Sequence, residues 1–257
     1  MKIALFYKEN KIKQDYVELL KDKIQSFGFT FDNDNPDVVL FVGGDGTFLR
    51  AVHQFIDRLD KISFIGLNKG HLGFFSSYSE KEIDSLLNDL KNHKTLTKSY
   101  RLLKAEYFNH EIYAVNEIRI ESPFQTLISG VEINKETLET FRGSGLVISS
   151  AVGSSAYNKS LNGAVVSPNL EIMELTEIAP INNRVYRSLH SSLVVDGNSE
   201  IVLKPQTANI LIGYDYLTIA DDSSDMIRFT LSDKKVSLLC KEDYNYITHL
   251  STAFIKD

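Results

Sequence analysis

The sequence predicts an α/β domain followed by a β-rich domain, and three observations carry that prediction. Continuous apolar runs at 38–42 and 62–67 alternate with stretches in which apolar residues recur at helical spacing. A glycine loop, Gly43-Gly44-Asp45-Gly46-Thr47, joins the first of those runs to a helix start. From about residue 95 onward the texture changes to short segments of alternating apolar and polar residues separated by turns.

The elements follow in order. Residues 2–7 read as a strand, and Tyr16, Leu19, Leu20, Ile24 and Phe27 then recur at helical spacing up to Gly28, a natural C-cap position. An extended piece at 29–32 and the turn Asn33-Asp34-Asn35-Pro36 lead to Val38-Val39-Leu40-Phe41-Val42. Its unbroken apolar character marks a strand covered on both faces. Phe48, Leu49, Val52, Phe55 and Ile56 restore helical spacing, and the run at 62–67 precedes a second glycine loop, Asn68-Lys69-Gly70-His71-Leu72-Gly73-Phe74. Ile83, Leu86, Leu87 and Leu90 mark a further helix. Both glycine loops follow strands, so both belong at the carboxyl edge of a mostly parallel sheet, where open α/β sheets bind ligands.

The boundary lies at about 92–98, giving an amino-terminal domain over 1–95 and a β-rich domain over 96–239. Alternation at 111–121, 131–134 and 200–204, with turns such as Asp196-Gly197-Asn198, predicts antiparallel strands. Residues 175–187 fit neither period and read as a helical or irregular insert.

With 257 residues, two domains or one elaborated domain are both compatible with the chain's length. A net charge of −6 without a basic stripe argues against a nucleic-acid binder. The single cysteine, Cys240, excludes an intrachain disulfide and a Cys-rich zinc site, and its apolar setting suggests a packing thiol. The apolar run at the amino terminus is too short for a signal peptide, and no run approaches the ~20 residues of a membrane span. The expected location is the cytoplasm, with no membrane association.

The loop at 43–47 suits phosphate, because glycines let the backbone approach a ligand and a helix N-terminus offers unpaired N–H groups. Asp45 stands where an anion would sit, which suits a group that handles a proton or a metal ion. Leu49 replaces the third glycine of a dinucleotide fingerprint, and no GxxxxGK[ST] loop occurs. The plain alternative is a turn in which Asp45 or Thr47 caps the helix. In the second half, Gly153-Ser154-Ser155-Ala156-Tyr157-Asn158-Lys159-Ser160 can form a pocket of hydroxyls with Tyr157 against a ring, or a surface loop. Asn116-Glu117 ends a strand and offers donors and acceptors suited to ribose hydroxyls. His71, in the second glycine loop, can reach a phosphate. No G-x-S-x-G elbow, HExxH pair or metal-ligand histidine spacing occurs.

Together these segments resemble the NAD kinases of the small bacterial type. The resemblance runs through Gly43 to Thr47, Gly70 to Phe74, Asn116-Glu117, Arg142-Gly143-Ser144-Gly145, Gly153 to Ser160 and Ile181-Asn182-Asn183-Arg184. It implies a Rossmann-like α/β domain, a β-sandwich-like domain, and a carboxyl-terminal segment, 240–257, returning to the first. It also implies a homo-oligomer, commonly a tetramer, that uses ATP with Mg²⁺ to phosphorylate the adenosine-ribose 2′-hydroxyl of NAD. Asp45 would be the general base. Gly43, Gly44, Gly46, Thr47 and His71 would hold ATP phosphates. Asp45, Gly46, Arg50, Phe74, Asn116, Glu117, Arg142, Ser144, Ser155, Ala156, Tyr157, Asn158, Lys159, Ser160 and Ala179 would bind NAD. No residue is implied as a metal ligand. Ser144 stands where the family usually has aspartate, and Ser150-Ala151-Val152-Gly153 where it usually reads Thr-Pro-Thr/Ser-Gly. Those departures bear on the nicotinamide side. The readings set against a NAD kinase are a lipid-type kinase sharing the GGDGT loop and a catalytically weak NAD(P) sensor.

Overall fold

The computed structural model describes residues 1–70, 73–108, 110–222 and 225–255. The chain forms two compact units, Met1–Ser99 with Lys235–Asp257 and Tyr100–Lys234.

The first unit contains β1 (Lys2–Tyr7), α1 (Gln14–Ser26), β2 (Thr30–Phe31), β3 (Val38–Val42), α2 (Asp45–Gln54), β4 (Ser63–Asn68), β5 (Tyr78–Ser79) and α3 (Ile83–Lys91). Its strands are parallel in the order β2-β1-β3-β4, with Tyr7 beside Val42 and Val42 beside Leu67. That register releases the chain after β1, β3 and β4 at one edge, which is where both glycine loops begin. All five residues of β3 are buried, as an unbroken apolar strand between two helical layers requires. Val17, Leu20 and Ile24 of α1 and Leu86, Leu87 and Leu90 of α3 share one core with Leu40, Val42, Ile65 and Leu67. The ring of Phe48 on α2 packs against Phe41 and Phe64, with centroids 5.2 and 5.8 Å away. Gly28 follows α1 with φ +87°, the left-handed step that ends a helix.

The strand β6 (Thr95–Tyr107) leads into the second unit, followed by β7 (His110–Ala114), β8 (Glu117–Glu121), β9 (Leu127–Ile133), β10 (Glu136–Gly143) and β11 (Gly145–Ser150). A short α4 (Tyr157–Ser160), β12 (Ile172–Ile178), β13 (Leu193–Asp196), β14 (Ile201–Pro205), β15 (Ile210–Tyr214) and β16 (Leu217–Asp221) complete it. The last long strand, β17 (Ile227–Lys241), starts here and ends in the first unit, where Ser237–Leu239 run parallel to β4, and α5 (Tyr246–Phe254) follows.

In the second unit one antiparallel sheet has the order β13-β12-β11-β8-β15-β16. The strands β10, β9, β14 and the start of β17 pair antiparallel in another. Ile118, Ile148 and Ile212 of the first sheet share a core with Phe141, Leu203 and Phe229 of the second, so alternate residues of both sheets face inward. The class is therefore α/β plus β. The alternation at 111–121 resolves into two strands broken at Val115 and Asn116, and the hard-to-place stretch is strand up to Ile178 and irregular beyond it. Cys240 is buried, and burial pushes its thiol up to about 12, as befits a packing residue.

Candidate active site

The loop after β3 turns on one glycine above all. Gly43 has φ +143°, donates its N–H to the Leu67 carbonyl at 3.0 Å, and a Cβ there would stand 2.5 Å from the Thr47 hydroxyl oxygen. Gly44 is the N-cap of α2 with extended backbone and no side-chain cap. Neither Asp45 nor Thr47 caps the helix; Asp45 opens its first turn, where N–H groups lack intrahelical acceptors.

The Asp45 carboxylate accepts the N–H groups of Phe74 and Phe75, both at 3.2 Å. The two glycine loops therefore meet, and a Cβ on Gly73 would stand 2.5 Å from Asp45 Oδ1. Burial raises the Asp45 carboxyl above its ordinary range, against the pull of the two N–H groups and of His249. His249, on α5, is lowered by burial while a backbone hydrogen bond with Gly73 and the charge of Asp45 favour its protonation. Phe254 of the same helix packs against Phe74, ring centroids 5.5 Å apart. Arg50 is exposed one turn beyond Gly46, and His71 lies outside the described residues.

In the second unit Asn116 and Glu117 lie at the break between β7 and β8, with 9% and 5% of their surface exposed. Asp215 accepts the N–H groups of Val115 at 2.9 Å and Asn116 at 2.8 Å. Ser150 donates its N–H to the Asn116 carbonyl at 2.9 Å and its hydroxyl to the Val115 carbonyl at 2.7 Å. The Ser150 hydroxyl also accepts the Gly153 N–H at 3.0 Å. A Cβ on Gly153 would fall 1.9 Å from the Asn116 carbonyl oxygen, so this turn rests on bare backbone. Burial, followed by the Asp215 charge, pushes the Glu117 carboxyl up to about 8, against Arg119 and a backbone N–H from Tyr157. Its Oε2 is buried without a hydrogen-bond partner among the described residues.

The residues after Gly153 divide by exposure. Tyr157, half-buried, has its ring 5.8 Å from the Arg119 guanidinium. Ser155 and Ala156 are half-buried, and Lys159 and Ser160 are exposed. Asn158 points inward, donating to Glu174 at 2.9 Å and accepting from the Thr176 hydroxyl at 2.7 Å. Sequence spacing could not show this, because a four-residue helix is too short to reveal which side faces in.

Arg142, Ser144 and Ala179 form a separate group. Ser144 donates its N–H to the Ile178 carbonyl at 2.9 Å, Ile181 donates to the Arg142 carbonyl at 2.7 Å, and Ala179 takes φ +45°. Arg142 and Ser144 precede β11, and Ala179 follows Ile178, which pairs with Gly145 at the start of β11, whereas Asn116 pairs with the far end of that strand, roughly 17 Å away at the rise of an extended strand. Ser160 and Ala179 line one cavity of about 480 Å³ together with His190 and Ser192. Sequence reasoning missed Asp215 and His249, since a lone turn aspartate and a lone helical histidine carry no spacing signal.

Residues 3–95 match the model of the ATP-NAD kinase N-terminal domain, and residues 115–240 that of the ATP-NAD kinase C-terminal domain. The NAD kinase of Leuconostoc citreum is 36% identical over 100% of this chain and 99% of its own length. The NAD kinase of Streptococcus pneumoniae is 43% identical over 80% of this chain and 75% of its own. Among solved structures, an Archaeoglobus fulgidus NAD kinase in complex with ATP superposes with a TM-score of 0.81 at 19% identity, covering 98% of each chain. A yeast NADH kinase complexed with NADH superposes with a TM-score of 0.84 at 18% identity, over 100% of this chain and 89% of that one.

Proposed function

The chain belongs to the NAD kinase family, and from that premise we propose that it transfers the terminal phosphoryl group of ATP to the adenosine-ribose 2′-hydroxyl of NAD, giving NADP and ADP. The observation that carries the catalytic role is the Asp45 carboxylate, held by two backbone N–H groups at the head of α2 and raised by burial. The bond from the ribose oxygen to the γ-phosphorus forms as the bond to the β–γ bridging oxygen breaks. The hydroxyl proton passes to Asp45, and ADP leaves with the bridging electrons.

Gly43 and Thr47 shape the loop, and the first-turn N–H groups at Gly44 to Gly46 receive phosphate. His71, in the second glycine loop, contacts a phosphate as well. Asn116 and Glu117 hold ribose hydroxyls, with Glu117 protonated over much of the neutral range and able to donate. Tyr157 stacks on a base, Ser155, Ala156, Lys159 and Ser160 line its surroundings, and Asn158 fixes α4 through Glu174 and Thr176. Phe74 and Arg50 complete the surroundings of Asp45.

The described residues include no cluster of three or more acidic, histidine or cysteine ligands. Mg²⁺ would arrive on the nucleotide and be held by its phosphates, with no residue of the chain assigned as its ligand. The ion would neutralise phosphate charge when bound. Arg142, Ser144 and Ala179, remote from Asn116 along β11, are assigned to a homo-oligomer in which they serve a second copy's dinucleotide; a tetramer is the expected state. A cytoplasmic location follows from the same reading, and no described helix is long and apolar enough to cross a membrane.

The family match along the chain removes the motive for the lipid-kinase and sensor readings. The test is incubation with ATP, Mg²⁺ and NAD or NADH, with products read by mass. Gain of one phosphate on NAD is expected; a phosphorylated lipid without phosphorylated NAD overturns the assignment.

A further inference from the structure

We propose that Lys8 is the cation that receives the terminal phosphates of the nucleotide beside the GGDGT loop. The inference deepens the kinase reading and rests on it for the reaction, but the anion site can be tested without turnover.

The topology delivers Lys8 to this place. Tyr7 ends β1 opposite Val42, which ends β3, so Lys8 and Gly43 leave the sheet as neighbours. The Lys8 carbonyl accepts the N–H groups of Lys11 at 2.9 Å and Ile12 at 3.2 Å. Ile12 is buried, so the turn that launches the side chain is anchored in the core. The ammonium Nζ then reaches to 4.0 Å from the place a Cβ on Gly46 would occupy. A bare glycine in the first turn of α2 lets the cation lie along the helix head.

The charges around Lys8 are positive. Partial burial, followed by the positive charges of Arg50 and Lys11, disfavours the protonated form of Lys8. Among the described residues Lys8 has no carboxylate partner. Asp45, the carboxylate in the loop, is engaged by the N–H groups of residues 74 and 75. An ammonium near two like charges at the positive end of a ten-residue helix makes this a place that favours an anion. A polyphosphate supplies that anion, and a lysine, as a compact point charge on a flexible stem, suits a phosphate oxygen whose charge grows during transfer. In the reaction Lys8 would stabilise the charge gathering on the β–γ bridging oxygen as that bond breaks, while Asp45 takes the hydroxyl proton.

The experiment uses the full chain and four proteins: wild type, Lys8→Ala, Lys8→Met, which keeps an unbranched stem, and Lys8→Arg. Inorganic tripolyphosphate is titrated by calorimetry, NAD is titrated separately, and kinetics are measured with ATP as the varied substrate. Lys8→Ala and Lys8→Met should bind tripolyphosphate at least ~10-fold more weakly and lose ~10²–10³ in kcat/KM for ATP, the range for removing a donor aimed at developing charge. NAD affinity and thermal midpoint should stay near wild type, and Lys8→Arg should recover part of the tripolyphosphate binding. Wild-type tripolyphosphate affinity in Lys8→Met overturns the proposal. So does an equal loss of NAD and tripolyphosphate binding with a lowered melting point, which marks a structural lysine. If the wild type makes no phosphorylated NAD, the kinase reading fails while the tripolyphosphate titration still decides the role of Lys8.

Discussion

Asp215 holds the main chain of Asn116 from ninety-nine residues away, its carboxylate accepting the Asn116 N–H at 2.8 Å and the Val115 N–H at 2.9 Å. The contact is reciprocal in effect, because the Asp215 N–H donates to the Glu117 carbonyl at 3.1 Å. The break between β7 and β8 is thus clamped rather than loose. Asp215→Ala strands two buried N–H groups and should cost about 2–4 kcal/mol, taking each unsatisfied donor at the low end of its penalty. It should also raise KM for NAD by more than it lowers kcat, because the side chains displaced are those assigned to the ribose. Asp215→Asn keeps one acceptor and should sit between. Thermal unfolding and steady-state kinetics check this; wild-type melting in Asp215→Ala would show that the clamp carries no weight.

Asp45→Asn preserves shape and removes the proton acceptor. One of the Phe74 and Phe75 N–H groups keeps a carbonyl oxygen as acceptor and the other loses its acceptor, a cost of about 1–3 kcal/mol that the fold should survive. Turnover should fall by at least ~10², the low end for a general acid–base group. Near-normal kcat in this variant removes Asp45 from the proton transfer.

What the sequence made legible follows the physics of each element. The strand at 38–42 was readable because burial on both faces demands an unbroken apolar run, and the helix after it because Phe48, Leu49 and Val52 repeat at helical period. The meeting of the two glycine loops was readable from strand polarity alone. The partners that position Asp45 were not, because they are backbone N–H groups at residues 74 and 75, and any residue but proline carries such a donor. Asp215 hid in Tyr214-Asp215-Tyr216, which reads as an ordinary turn. Asn158 looked like pocket lining because composition says nothing of direction, whereas its amide is consumed by Glu174 and Thr176.

Glu117 should make stability depend on pH. Its carboxyl titrates at about 8 in the fold against 4.5 for the free side chain, so between those values the native state binds more protons than the unfolded one. Stability from this group is therefore present at low pH and is lost as pH rises through that window. Glu117→Gln removes the dependence. Relative to wild type, the variant should gain nothing at pH 4.5 and several °C in Tm at pH 9, at roughly 2–4 °C per kcal/mol for a chain of this size. Asp215→Asn should move the same transition to lower pH, because the Asp215 charge helps to raise Glu117. Parallel melting curves for wild type and Glu117→Gln from pH 5 to 9 would refute the buried carboxyl's titration.

Gly73→Ala tests whether the position of Asp45, apart from its chemistry, matters for turnover. A Cβ at residue 73 would stand 2.5 Å from Oδ1 and 3.2 Å from the carboxyl carbon of Asp45, inside contact distance for both. The cheapest relief is rotation of the carboxylate, which breaks its alignment with the Phe74 and Phe75 N–H groups, because the Phe75 ring is stacked on Phe48 of α2 and holds the two loops together. Displacing a reacting group by about 1 Å can cost ~10²-fold, so kcat should fall by about that factor while KM for ATP changes little. The same substitution in an Asp45→Asn background should cost nothing further, since the group it displaces no longer accepts the proton. Independent, multiplying losses in the double variant would mean that Gly73 acts on the nucleotide directly and that Asp45 is not the group its Cβ disturbs.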